Sequence, residues 1–113
     1  MDSESIINRI KEKLMQARLH KIILFGSHSI GSADSDSDID LLVVTSDKFI
    51  PKNFKEKSEL MLKIAKLIAE EKRQHPIDLL VYTLPMYQKF IEQDSAFSRE
   101  IRTKGKTLYE AGH

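Results

Sequence analysis

Ten residues separate Gly26-Ser27 from Asp38-Ile39-Asp40, and both motifs border apolar runs. Ile22-Ile23-Leu24-Phe25 leads into the glycine, and Ile39-Asp40-Leu41-Leu42-Val43-Val44 follows the first aspartate. Such runs read as strands. Strand residues alternate faces, so Asp38 and Asp40 project to one side with attachment points roughly 7 Å apart, twice a rise of ~3.3 Å. Both carboxylates can then reach a shared pair of divalent ions, which in two-metal sites stand ~3.5–4 Å apart. A third carboxylate, Asp78, lies in the run Pro76-Ile77-Asp78-Leu79-Leu80-Val81-Tyr82. Aspartate is disfavoured in strands, and a charge beside buried positions is costly unless it is partnered. Neither acidic run contains a lysine or arginine, and a metal ion is the simplest partner left.

The chain has 113 residues, which predicts a single domain over 1–113. Its net charge is +1, with both signs interspersed. That predicts no basic nucleic-acid face and no polybasic membrane patch. There are no cysteines, which excludes disulfides, thiolate zinc sites and a cysteine nucleophile, and fits a reducing cytoplasm. The acidic start Met1-Asp2-Ser3-Glu4-Ser5 is not followed by a signal-like apolar segment. No apolar run approaches the ~20 residues needed to span a bilayer. A soluble, cytoplasmic protein without a membrane partner is expected.

Ser3 or Ser5 is expected to cap a first helix with Ile6, Ile7, Ile10, Leu14 and Ala17 on one stripe. Residues 20–25 and 38–45 are predicted strands, and Ser32-Ala33-Asp34-Ser35-Asp36-Ser37 is a loop. After Pro51, Asn53 and Glu56 make a capping pair for a helix with Phe54, Leu60, Met61, Ile64, Ala65, Leu67 and Ile68 inward. Residues 76–82 form the third strand. Thr83-Leu84-Pro85 opens a short helix with Met86, Tyr87, Phe90 and Ile91, and an amphipathic piece from Phe97 to Lys104 ends at Gly105. The tail Lys106-Thr107-Leu108-Tyr109 reads as a short edge strand or a loop. This order predicts one small sheet covered by helices.

Phosphoryl chemistry suits these residues. Its transition state spreads negative charge over phosphate oxygens, and the protein positions and neutralises it. Mg²⁺ prefers hard oxygen ligands such as carboxylates. A glycine-serine turn lets backbone N–H groups and a hydroxyl approach a triphosphate. A calcium loop fails on sequence: counting from Asp34 places Ile39 and Thr45, and from Asp36 places Leu41 and Asp47, where glycine and glutamate are required. No P-loop occurs. His20, His75 and His113 read as solvated, whereas His28, beside Ser27, faces the candidate phosphates. Tyr82, Tyr87 and Tyr109 read as core or rim aromatics. The basic stretches at Lys72-Arg73 and from Arg102 to Lys106 read as solvated helix ends, from which a triphosphate contact could also come.

Gly26-Ser27, ten residues, then Asp38-Ile39-Asp40 resembles the G-S-x10-D-x-D signature of polymerase-β-like nucleotidyltransferases. Asp36-Ser37-Asp38-Ile39-Asp40-Leu41-Leu42-Val43-Val44, the late Asp78 and the ending Gly105-Lys106-Thr107-Leu108-Tyr109-Glu110 are similar to the minimal nucleotidyltransferase (MNT) group. The resemblance implies an α+β fold, a small mixed sheet with helices packed on one side. It implies that Asp38 and Asp40 bind two Mg²⁺ ions, that Asp78 binds the catalytic one and helps activate the acceptor, and that Gly26 and Ser27 hold the triphosphate. ATP is the implied nucleotide, and the implied partner is a small helical HEPN-type toxin that receives AMP on a tyrosine, the chain acting as its antitoxin. Neutralisation by binding alone, and transfer to a small molecule such as an aminoglycoside, are the alternatives. The lack of a second domain to enclose a small substrate argues against the latter. Ile30 stands where the family often offers arginine, and losing a guanidinium removes a charge-assisted contact worth on the order of 1.5–3 kcal/mol.

Overall fold

A computed structural model describes residues 2–34 and 37–112. Ser35 and Asp36 of the expected loop, and His113, lie outside the described residues. Helix α1 (Ser3–Leu14) leads to β1 (Leu19–Phe25), the one-turn α2 (Ser27–Ile30) and β2 (Ile39–Thr45). Helix α3 (Phe54–Ala65) runs through a 3-10 turn (Lys66–Ile68) into α4 (Ala69–Gln74) and β3 (Ile77–Tyr82). Helices α5 (Leu84–Gln93) and α6 (Ala96–Lys104) precede β4 (Lys106–Glu110). The sheet order is β3-β2-β1-β4. Strands β2 and β3 are parallel, and β1 is antiparallel to both β2 and β4, so the sheet is mixed and the tail is an edge strand.

Capping explains the helix starts. Asp2, rather than a serine, caps α1 by accepting a hydrogen bond from Ser5 N at 2.8 Å. Asn53 Oδ1 accepts from Glu56 N at 2.9 Å, and Glu56 returns a bond by accepting from Lys52 N, as the sequence leads one to expect. Phe54 departs from expectation, being 83% exposed. It precedes the buried Leu60 by six residues, about 1.7 helical turns, which puts it off the inward face.

Helices cover both faces of the sheet, which corrects the one-sided arrangement. Ile22, Leu24, Ile39, Leu41, Val43, Leu79 and Val81 pack with α1, α3 and the 3-10 turn. The alternate residues Ile23, Leu42 and Val44 pack with Ile101 of α6 and with an aromatic group from α5 and α6. The unbroken apolar run Leu41-Leu42-Val43-Val44, fully buried throughout, is what a strand covered on both sides requires. In the second layer Phe25 meets Phe97 at 5.4 Å and Phe90 meets both Tyr82 and Phe97, edge to face in each case, as ring quadrupoles favour. No helix among the described residues is long and apolar enough to cross a membrane.

Candidate active site

Sheet register brings two of the acidic residues together. Asp40 pairs across to Phe25 of β1 on one side and to Asp78 of β3 on the other. In-register residues on neighbouring strands point to the same face, with strands ~4.8 Å apart. Asp40 and Asp78 are therefore lateral neighbours on the α5–α6 face, at the ends of β2 and β3 where those strands begin. Asp38 lies one residue before β2 and is exposed, as is Asp78, whereas Asp40 is half-buried. Ile39 N donates to Pro76 O at 3.0 Å, which fixes the start of β2 against the entry to β3.

Asp40 feels its acidic neighbours. The Asp40 carboxyl is raised above the ordinary aspartate value, first by burial, then by the charges of Asp78 and Asp38, with His28 opposing. None of the three enters an ion pair among the described residues. No three metal-ligating side chains among the described residues are gathered closely enough to hold a metal ion by themselves. The donor set nevertheless fits Mg²⁺: hard carboxylate oxygens, one of them half-buried, with no lysine or arginine paired to them among the described residues. Asp38, Asp40 and Asp78 are the residues that could hold it.

Gly26 is required by this geometry. Its backbone, at φ 72° and ψ −155°, lies in a region essentially reserved for glycine. A Cβ there would overlap Asp40 Oδ2 and lie 3.2 Å from Asp40 Cγ. The bare backbone thus lets the carboxylate lie against the turn. Ser27 then opens α2, which stops at Gly31 in the left-handed conformation, as helix ends often do. Ser29 Oγ donates to Gly26 O at 2.8 Å, and Ser32 N donates to Ser27 O.

Two histidines act where the sequence reading gave one a different role and the other none. His28 Nε2 and His75 Nε2 lie 3.1 and 2.9 Å from the same atom, Ser37 O. A carbonyl can only accept, so each Nε2 carries a proton and donates. Their rings meet edge to face at 6.1 Å. Together they clamp the peptide immediately before Asp38. His75 is half-buried rather than simply solvated, and the His28 ring turns to the backbone. Nothing local in the sequence signals the pairing, because the two rings are 47 positions apart and converge through the β2–β3 register.

A crystal structure of a toxin–antitoxin with AMP-PNP is similar to this chain at 26% identity and TM-score 0.56, over 92% of this chain and 73% of that one. A toxin–antitoxin MntA–HpeT mutant shares the fold at 22% identity and TM-score 0.51, over 98% and 75%. So does spectinomycin adenyltransferase from Enterococcus faecialis with ATP and spectinomycin, at 20% identity and TM-score 0.59; this chain, covered over 99%, spans 58% of it. No curated protein matches the chain. The family model described as "Polymerase beta, Nucleotidyltransferase" matches residues 8–113. That span takes in the glycine-serine turn and all three aspartates, and the chain belongs to this family: it is a nucleotidyltransferase.

Proposed function

We propose that the chain is a Mg²⁺-dependent antitoxin of the minimal nucleotidyltransferase kind. It transfers a nucleoside monophosphate, AMP from ATP, to a hydroxyl of a partner protein in the cytoplasm, a tyrosine of a small helical HEPN-type toxin. The observation that carries the reading is the in-register pair Asp40–Asp78, with Asp40 packed against a turn that only glycine can make and neither aspartate in an ion pair among the described residues. Likeness to a toxin–antitoxin crystallised with AMP-PNP supports the choice of nucleotide and partner.

Asp38 and Asp40 would hold two Mg²⁺ ions and Asp78 one of them. Bound there, the ions supply positive charge to the phosphate oxygens as negative charge develops on them. The Gly26-Ser27 turn receives the triphosphate, and the Ser27 hydroxyl donates to it. The acceptor oxygen forms a bond to the α-phosphorus as the bond from that phosphorus to the bridging oxygen breaks. Pyrophosphate leaves with the bonding electron pair. The acceptor proton passes to a carboxylate oxygen of Asp78, which is exposed on the edge strand β3. His28 and His75 keep Asp38 in place through Ser37 O.

A second reading, neutralisation by binding alone, is favoured by Ile30, which is 58% exposed and leaves the turn without an arginine. Transfer to an aminoglycoside has only the shared fold behind it. Incubation with the cognate partner, Mg²⁺ and each nucleoside triphosphate in turn, followed by weighing the partner by mass spectrometry, separates them. The partner gains the mass of one nucleoside monophosphate, and the gain vanishes with chelator and in Asp38→Ala/Asp40→Ala. A double variant that still binds the partner and still protects cells would favour the binding reading.

A further inference from the structure

The turn that carries Ser27 brings hydroxyls to the site and almost no positive charge. From Gly26 to Asp34 the only basic side chain is His28, and its ring is engaged with Ser37 O. Across from this turn stands the last turn of α6. Gly26, Ser27, Ser29, Glu100 and Lys104 line a common groove of about 210 Å³. Helix α6 is anchored there by the Phe97 ring on Phe25 and by Gly105, where a Cβ would lie 2.8 Å from Ile23 Cγ2. The bare glycine lets the helix end lie directly on β1. Lys104 makes no ion pair among the described residues, whereas its neighbours Arg99 and Arg102 are both engaged with Asp94.

Resting on the nucleotidyl-transfer reading, we propose that Lys104 binds the β- and γ-phosphates of the nucleoside triphosphate from the wall opposite Ser27. A triphosphate that enters beside three carboxylates meets like charge, and an ammonium across the groove offsets it. Lysine serves phosphate as a point charge with three rotatable donors, so its long stem can follow the phosphate chain. The groove is smaller than the ~300–1,000 Å³ of pockets that enclose a whole small molecule, which suits a phosphate chain with the nucleoside outside. Glu100, one helical turn before Lys104 on the same wall, opposes this binding.

Titration calorimetry of the full chain with Mg²⁺ and either AMP-PNP or AMP tests the assignment. Lys104→Gln weakens AMP-PNP binding about tenfold or more, as loss of a charge-assisted contact should, and leaves AMP binding unchanged. Lys104→Arg keeps most of the affinity, and Glu100→Gln raises it. Lys104 is exposed, so an unchanged melting temperature shows that the variants fold. If Lys104→Gln binds AMP-PNP as tightly as the unaltered chain, or loses AMP equally, the Lys104 assignment is overturned while the nucleotidyl-transfer reading stands. If the unaltered chain binds neither nucleotide, both fall.

Discussion

Two groups of carboxylates meet the interior of this molecule, and the chain treats them in opposite ways. Where α1 meets α4, Glu71 is fully buried. Lys13 Nζ reaches its Oε2 at 2.6 Å and Arg9 Nε approaches at 3.6 Å, while both cations also face Glu70. At the other group, Asp40 is half-buried and feels the charges of two further aspartates, with no lysine or arginine paired to any of them among the described residues. A buried charge without a partner is costly. The fold supplies cations where a carboxylate holds helices together, and among the described residues pairs none with the aspartates proposed to hold metal.

The largest expected effect breaks the second group. Asp40→Asn should slow partner labelling by at least ~10³-fold, the upper range seen when one electrostatic stabiliser of a transition state is removed, without lowering the melting temperature of the metal-free protein. A fall in that temperature would assign Asp40 a structural role and erase the contrast. The first group should respond the other way. Arg9→Met/Lys13→Met leaves Glu71 buried without a cation, a situation that costs about 3–5 kcal/mol in buried pairs. Thermal unfolding should show the loss, and labelling by the protein that remains folded should be unaffected. In the single variant Lys13→Met the deficit should shrink at alkaline pH. Glu71 and then Glu70 hold the Lys13 ammonium above the ordinary lysine value. Its contribution is present below the unfolded value of ~10.4 and is lost as pH rises through the folded one.

Gly26→Ala disturbs the second group from the side of the turn. A left-handed, glycine-only conformation costs other residues on the order of 1–3 kcal/mol, and the new Cβ must push Asp40 aside. Stability should fall modestly and labelling steeply; equal retention of both would mean that the turn relaxes away from the carboxylate. The smallest effect is the pH dependence of the metal-free protein. The folded state holds the Asp40 proton to higher pH than the unfolded state does, so stability falls as pH rises through that window. The cost is absent below the ordinary value of ~3.9 and complete above the raised one. Melting curves of Asp40→Asn and the unaltered chain should therefore coincide near pH 3 and separate toward neutral pH, with the variant the more stable.

Much of this was legible in the residues because it is local. Apolar runs marked β1, β2 and β3, and Asn53 with Glu56 marked the start of α3. Asp38 and Asp40 read as a pair because strand alternation is a two-residue rule. Asp78 was legible as an aspartate inside an apolar run, though its place beside Asp40 depends on parallel register, which no local pattern encodes. The same register brings His75 to Ser37 O, and for the same reason its role was hidden. Helices on both faces were signalled by Leu41-Leu42-Val43-Val44, whose lack of alternation outweighs the one-sided arrangement that the family resemblance implied. Lys104 stayed undifferentiated among basic helix ends, because only the packing of Phe97 and Gly105 on β1 turns it toward the groove.

The central claim is that divalent ions serve Asp38, Asp40 and Asp78, none of which forms an ion pair among the described residues. Mn²⁺ binding followed by electron paramagnetic resonance, with AMP-PNP present, tests it most directly. The account predicts two ions bound per chain, loss of both in Asp38→Asn/Asp40→Asn, and loss of one in Asp78→Asn. No saturable binding by the unaltered chain, or undiminished binding by the double variant, would contradict it.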